Sequence, residues 1–180
     1  MRNVKKILVP VDFCEESACA LKRAVALAIE SRAEVIALHV IDAYSLRDYF
    51  TSPRFSMLDR RLAGADSPAV SLQSLKSDKT RRLTQFINRH VRQNDGIVIT
   101  QKVRTGSVVR EIATIAREKN IDLLVIELRR NFPSLNLTVL KLLQMSRHIP
   151  CPVLLEPAIP KHRWRPMQWL TGLLPASAKV

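Results

Sequence analysis

Asp12 is the residue whose type and position most clearly suggest chemistry, because it directly follows the apolar run Ile7-Leu8-Val9-Pro10-Val11. In open α/β sheets, ligands bind outside the carboxyl ends of the strands, where a short carboxylate reaches a base or ribose and helix N-termini face phosphate. A second interpretation stays open. An Asp just before a helix can instead accept hydrogen bonds from the exposed backbone N–H groups at that helix start.

The histidines and cysteines predict neither a metal site nor a catalytic centre. No two histidines stand at metal-binding spacing on one element, and each is expected to have a core or surface role: His39, His90, His148 and His162. The three cysteines form no CxxC pair: Cys14, Cys19 and Cys151. Because GxSxG, P-loop and HExxH patterns are absent as well, we expect a protein that is not an enzyme and holds no metal.

The elements that must position Asp12 alternate between strand and helix. Apolar runs predict strands at Val4–Val11, Val35–Ile41, Ile97–Val103, Ile121–Leu128 and Val153–Leu155. Three- and four-residue spacing predicts helices from Glu15 to about Ser31, from about Val70 to Arg92, from Gly106-Ser107 to Asn120, and over Leu135–Arg147. This alternation predicts a doubly wound, open α/β sheet of five parallel strands with helices on both faces. Pro152, at the start of the last strand, suits an edge position.

Composition sets the remaining bounds. The chain has 180 residues, 47% of them apolar, which is enough for one domain with a real core. No apolar run approaches the roughly 20 residues of a membrane-spanning helix, and no signal peptide is recognised, so a cytoplasmic protein is expected. The net charge of +13 attracts polyanions such as nucleic acid, anionic lipid and acidic proteins.

Residues 1–156 resemble the universal stress protein family. The matching segments, in order, are ILVPVDF, EESACALKRAVALA, VIALHVID, TGSVVREIATIAREKNIDLLVI and SRHIPCPVLLEP. The resemblance implies a Rossmann-like fold with an open five-stranded sheet, a homodimer paired through the last strand, and a role in stress survival rather than in metabolic turnover. It also divides the chain into a domain at 1–156, with a long connection at 42–69, and a tail at 157–180.

Members of that family that bind ATP carry glycine, two residues, glycine, nine residues, then glycine with Ser or Thr. The corresponding positions here hold Glu127, Arg130 and Val139 or Leu140, so all three glycines are missing. Glycine lets backbone N–H groups approach phosphate oxygens, which a Cβ obstructs. A carboxylate at Glu127 would also repel a triphosphate. The sequence therefore predicts that ATP binds weakly or not at all and that no cofactor is needed.

Part of a nucleotide site is nevertheless expected to survive. By resemblance, Pro10, Val11, Asp12 and Val40 occupy positions that hold adenine and ribose in ATP-binding relatives. Arg129 and Arg130 could replace the missing amide contacts, since guanidinium groups bind phosphate bidentately. An adenine-nucleotide switch that binds ATP or AMP weakly through these residues is the first alternative hypothesis.

The tail and one helix carry most of the excess positive charge. The basic and aromatic residues of the tail are Lys161, Arg163, Trp164, Arg165 and Trp169. They suit a partner groove or an anionic membrane surface, unless the tail folds back and covers an apolar patch of its own domain or its dimer mate. The basic helix face could bind nucleic acid, although a solvated face is the simpler interpretation; its residues are Lys76, Lys79, Arg81, Arg82, Arg89 and Arg92.

These observations lead to one main expectation. The protein is predicted to be a non-catalytic stress-response regulator that acts as a homodimer through contacts with an unidentified partner protein. A basic adaptor on an anionic membrane or on nucleic acid, attached peripherally by the tail, is the second alternative. The sequence names neither the stress nor the partner.

Overall fold

Five short apolar segments form one parallel sheet in the computed structural model, which describes residues 4–42, 46, 68–91, 96–128 and 148–157. The strands are β1 (Lys6–Pro10), β2 (Glu34–Ile41), β3 (Ile99–Thr105), β4 (Leu123–Leu128) and β5 (Val153–Pro157). Their spatial order is β3-β2-β1-β4-β5, and every pairing is parallel. The chain therefore reverses its direction of winding between β1 and β4, and ligands in open sheets bind at such a point.

The described helices cover both faces of the sheet. They are α1 (Glu15–Ser31), α2 (Pro68–His90) and α3 (Val108–Glu118). α1 and α2 pack on the face that contains Val9, Val35 and Ala37. α3 packs on the opposite face, against Leu8 and Leu38. Alternate residues of β1 and β2 thus enter two separate cores, as expected for strands that are buried on both sides.

The carboxyl ends of the central strands are joined by backbone hydrogen bonds beyond the regular ladder. The N–H of Val11 donates to the carbonyl of Leu38 at 2.8 Å, and the N–H of Gly106 donates to the carbonyl of Ile41 at 3.0 Å. Gly106 has φ +146°, and a Cβ there would lie 3.0 Å from Oε1 of Glu111. A larger residue would be strained in its backbone and crowded, so glycine lets β3 turn directly into α3.

The predicted fold class is confirmed, and the predicted elements within the described residues all exist, with ends that agree or differ by about two residues. β3 is shifted as a whole by two residues, since it was predicted at 97–103 but runs from Ile99 to Thr105. The prediction began two residues too early because Ile97 and Val98 are apolar. It also ended too early, since pairing with β2 continues through Arg104 and Thr105. α2 begins at Pro68, inside the predicted connection 42–69. The predicted helix at 135–147 and nearly all of that connection lie outside the described residues.

The start of α1 depends on a cysteine. Cys14 is the N-cap residue, with extended backbone angles, and its Sγ accepts a hydrogen bond from the N–H of Ser17 at 3.1 Å. The hydroxyl of Ser17 donates in turn to the carbonyl of Cys14 at 3.1 Å. Glu15 and Glu16 lie in the first turn, where their negative charges interact favourably with the helix dipole. The cap therefore fixes the point at which the chain leaves β1 and becomes helical.

The two-faced core predicts a large difference between buried and exposed aliphatic positions. Leu124→Ala, at a side chain with no exposure, should lower the free energy of unfolding by about 2–5 kcal/mol through lost burial and a residual cavity. Ile29→Ala, at a residue that is 50% exposed, should lower it by less than about 1 kcal/mol. Urea unfolding at one protein concentration measures both, and equal losses would contradict this core assignment.

The N-cap predicts a difference between two substitutions of nearly the same size. Cys14→Ala removes the acceptor for the Ser17 N–H and should lower the free energy of unfolding by about 0.5–2 kcal/mol. Cys14→Ser supplies a hydroxyl that caps at least as well and should cause no loss. Denaturant unfolding of the two variants and the wild type is the measurement. A loss of the same size in both variants would mean that the thiol acts through packing and not as a cap.

Candidate functional site

The turn that follows β1 is built from residues whose polar groups bond to their neighbours. Val11 is buried and bonds to β2 through its N–H. Asp12 follows, and its Oδ1 accepts a hydrogen bond from the N–H of Cys14 at 3.2 Å. This bond is the helix-start contact that the sequence offered as one of two roles for Asp12. The other role, contact with a base or ribose, stays a prediction.

Phe13 turns the chain through an uncommon backbone conformation. Its φ is +67°, in the left-handed region that bulky side chains rarely occupy. Such a residue costs about 1–3 kcal/mol and persists only where the surroundings enforce it. The ring packs against His39 with centroids 4.3 Å apart and forms an edge-to-face pair with Phe86, with centroids 5.8 Å apart. Side chains from β2 and α2 thus hold the turn in place.

His39 lies beneath that turn and is buried, with 8% of its surface exposed. Nδ1 is 2.8 Å from the carbonyl oxygen of Val11. Because a carbonyl can only accept, Nδ1 carries the proton and Nε2 of the neutral ring is left as an acceptor. Nε2 is buried and has no hydrogen-bond partner among the residues described. Burial lowers the pKa of His39 below its usual value, although the bond to Val11 opposes that shift.

Two cations of α2 stand over the same aromatic ring. The Cζ of Arg82 lies 4.7 Å from the centroid of the Phe13 ring, and the Nζ of Lys79 lies 6.0 Å from it. Both also lower the pKa of His39 by charge repulsion, while the carboxylate of Asp12 raises it. Further along α2, His90 packs on Phe86 with ring centroids 4.6 Å apart. One stripe of α2 therefore supplies aromatic contact and positive charge beside the end of β1.

The structure brings together the predicted base-side residues. Pro10 ends β1 and lies in register with Leu38 of β2. Asp12 follows Pro10 by two residues, and Val40 follows Leu38 by two residues. These residues share the carboxyl edge of two adjacent strands. On the other side of β1, Glu127 lies in β4 near its carboxyl end, in register with Glu156. The predicted phosphate-side and tail residues lie outside the described residues: Arg129, Arg130, Lys161, Arg163, Trp164, Arg165 and Trp169.

The sequence did not identify Phe13, Lys79, Arg82 and Phe86 as parts of this site. The basic residues of α2 were interpreted as a solvated or nucleic-acid-binding helix face. A weak signal was present in the spacing, since positions 79, 82, 86 and 90 follow one face of a helix. What the spacing could not show is that this face lies against the β1 turn. His39, for which the sequence predicted a core or surface role, is a core residue.

The described part of the chain contains no group of three or more His, Cys, Asp or Glu side chains placed to hold a metal ion. Its helices include none with the length and apolar character required to span a bilayer.

Comparison with known proteins agrees with this architecture. Residues 3–156 match the model of the universal stress protein family. No curated protein sequence matches the chain significantly.

The solved structures that resemble the chain share its fold at low sequence identity. A universal stress family protein from Burkholderia pseudomallei is 22% identical with a TM-score of 0.57, covering 88% of this chain and 99% of its own. A protein whose biochemical function was assigned from its structure is 21% identical with a TM-score of 0.61 and the same coverage. A universal stress protein solved in complex with cAMP is 17% identical with a TM-score of 0.52, covering 87% and 99%. The matched domain spans most of the sequence, and the chain belongs to the universal stress protein family.

Proposed function

We propose that this universal stress protein is a non-catalytic regulator that works as a homodimer through contacts with a partner protein and does not depend on bound ATP. The observation that carries the proposal is the bonding at the end of β1. The Val11 N–H, the Val11 carbonyl and an oxygen of Asp12 are each engaged by neighbouring groups. A nucleotide that used these groups would have to compete with bonds that hold the turn.

The phosphate side supports the same conclusion through residue type. Glu127 stands in β4 where ATP-binding relatives are expected to carry the first glycine of their phosphate motif, and Arg130 stands at the second. Side chains at these positions prevent the close approach of backbone N–H groups to phosphate oxygens. A carboxylate at the first position adds charge repulsion. Loss of steric access and loss of charge complementarity together oppose triphosphate binding.

The open edge at β5 supports dimerisation. β5 lies at the end of the sheet and pairs with β4 alone among the described strands, which leaves its outer backbone groups available to a second strand. Leu155 in this strand is 42% exposed, and such an apolar side chain on an edge favours pairing. Glu156, beside it, forms a long ion pair of 3.8 Å with Arg23 of α1. A second copy that pairs along this edge would cover Leu155 and extend the sheet.

An adenine-nucleotide switch is the second candidate function. It is favoured by Lys79 and Arg82, the two cations that lie over the Phe13 ring. They place positive charge near Asp12. Electropositive surroundings raise the local concentration of an anionic ligand. A relative of the same fold has been solved with cAMP. In this hypothesis Asp12 contacts the nucleoside, and Arg129 and Arg130 assist at the phosphate.

Nucleotide titration separates the two candidates. A ligand at about 100 times its Kd stabilises a fold by about 2.7 kcal/mol, which for a chain of this size raises Tm by roughly 5–10 °C. We expect ATP, ADP and AMP to leave the Tm of the full chain unchanged in a thermal-shift assay. A rise in the wild type that disappears in Asp12→Ala would reject the proposal and support the nucleotide switch.

The dimer is tested at its predicted edge. Leu155→Glu places a charge in the proposed strand pair and should convert the dimer into a monomer in sedimentation equilibrium. Val98→Glu is a matched control, because Val98 is 66% exposed and precedes β3 at the opposite edge of the sheet. That variant should remain a dimer. A monomeric wild type, or a dimer that survives Leu155→Glu, would exclude pairing through β5.

A further inference from the structure

We propose that His39 is a proton-sensitive latch, which holds the turn of residues 11–14 while its ring is neutral and releases that turn when the ring gains a proton in acid. This inference concerns regulation of the turn and goes beyond the proposed role in partner binding. It does not depend on whether a nucleotide binds. The latch consists of two contacts made by the buried His39 ring and a third contact that holds Phe13 in place.

The first two contacts attach the ring to the turn. Nδ1–H donates to the carbonyl of Val11 at 2.8 Å, and the ring face packs on Phe13 with centroids 4.3 Å apart. The third contact is indirect, since Phe86 of α2 packs edge-to-face with Phe13 at a centroid distance of 5.8 Å. Phe13 has φ +67°, so these contacts hold a backbone conformation that the free turn would avoid.

A second proton on the ring would be poorly accommodated. It would be added at Nε2, which is buried and faces no hydrogen-bond acceptor among the residues described. A buried N–H without an acceptor and a buried positive charge are both unfavourable. The ring can relieve both by moving towards water, and that movement breaks the bond to Val11 and the contact with Phe13. Asp12 is the next residue of the turn, so its carboxylate would move with it.

The charged groups around the ring make its protonation harder still. α2 contributes Lys79 and Arg82, which repel a positive ring, and it places His90 beyond Phe86. The turn contributes Asp12, whose carboxylate favours protonation. α1 has Glu15 and Glu16 in its first turn, but neither is among the groups that change the pKa of His39. β3 places uncharged Val103 in register with His39.

The direction of the effect follows from these contributions. Desolvation by burial is the largest cause and lowers the pKa of His39 below 6.5. The unfolded chain therefore binds a proton at higher pH than the folded chain, and stability rises with pH across that interval. As pH falls from 6.5 towards the folded-state pKa, the unfolding equilibrium constant should increase by up to tenfold per pH unit on account of this one group. The loss levels off below the folded-state pKa.

The direct test is an NMR pH titration of the full chain. We expect the ring C–H signals of His39 to titrate below pH 6.5, with assignments made from single His→Gln variants. The amide signals of Phe13 and Cys14 should shift with the same midpoint, because the turn moves when the ring does. A midpoint at or above 6.5 would overturn the proposal. So would a low midpoint at which the amide signals of the turn stay still.

Two matched arginine variants keep the test decisive if His39→Gln fails to fold. Arg82→Gln removes a repelling charge near the ring and should move the His39 midpoint to higher pH. Arg89→Gln removes a charge from the same helix at an exposed position and should leave that midpoint where it is. Equal His39 midpoints in the wild type and both variants would contradict the assignment of Arg82 as a charge that repels the protonated ring. If His39→Gln does fold, its stability should no longer fall between pH 6.5 and the wild-type midpoint.

Discussion

The hydrogen bonds made by the backbone N–H and carbonyl of Val11 are the constraint on which the site depends. The N–H donates to Leu38, and the carbonyl accepts from the ring of His39, so β2 holds both polar groups of one residue beyond the end of β1. The chain leaves the sheet from that fixed point. The left-handed conformation of Phe13 follows immediately, and the helix cap at Cys14 comes one residue later. The position of Asp12 is therefore set by β2 as much as by its own strand.

A buried neutral histidine beneath two cations is a self-consistent arrangement. Arg82 and Lys79 are attracted electrostatically to the electron-rich face of the Phe13 ring. The same ring also contacts His39 and Phe86. The same cations disfavour a charge on His39, and burial acts in the same direction. Packing and electrostatics thus select one protonation state of the ring. A chain with a net charge of +13 can place cations here because the group beneath them carries no charge.

The sequence was sufficient for the sheet and insufficient for the contacts that complete the site. Strands buried on both faces produce continuous apolar runs, which is why β1, β2 and β4 were found and the fold class was correct. The base-side residues Pro10, Val11, Asp12 and Val40 were assigned by resemblance to the family. The structure places them at one edge because the carboxyl ends of neighbouring parallel strands meet there. The meeting of Phe13, His39 and Phe86 could not be read in the same way. These residues are far apart in the chain, and each satisfies a simple local pattern by itself.

Phe13 also clarifies what the missing glycines mean. Glycine serves two separate purposes, since it permits positive φ and it leaves space beside the backbone. Phe13 shows that this chain tolerates positive φ in a bulky residue where aromatic packing compensates. A lost glycine is therefore not, for conformational reasons alone, a lost turn. Space is different, because no packing elsewhere removes a Cβ that stands between an N–H group and a phosphate. In the proposed function, the obstacle to a phosphate cradle is therefore the side chains that replace glycine at positions 127 and 130, and not backbone strain.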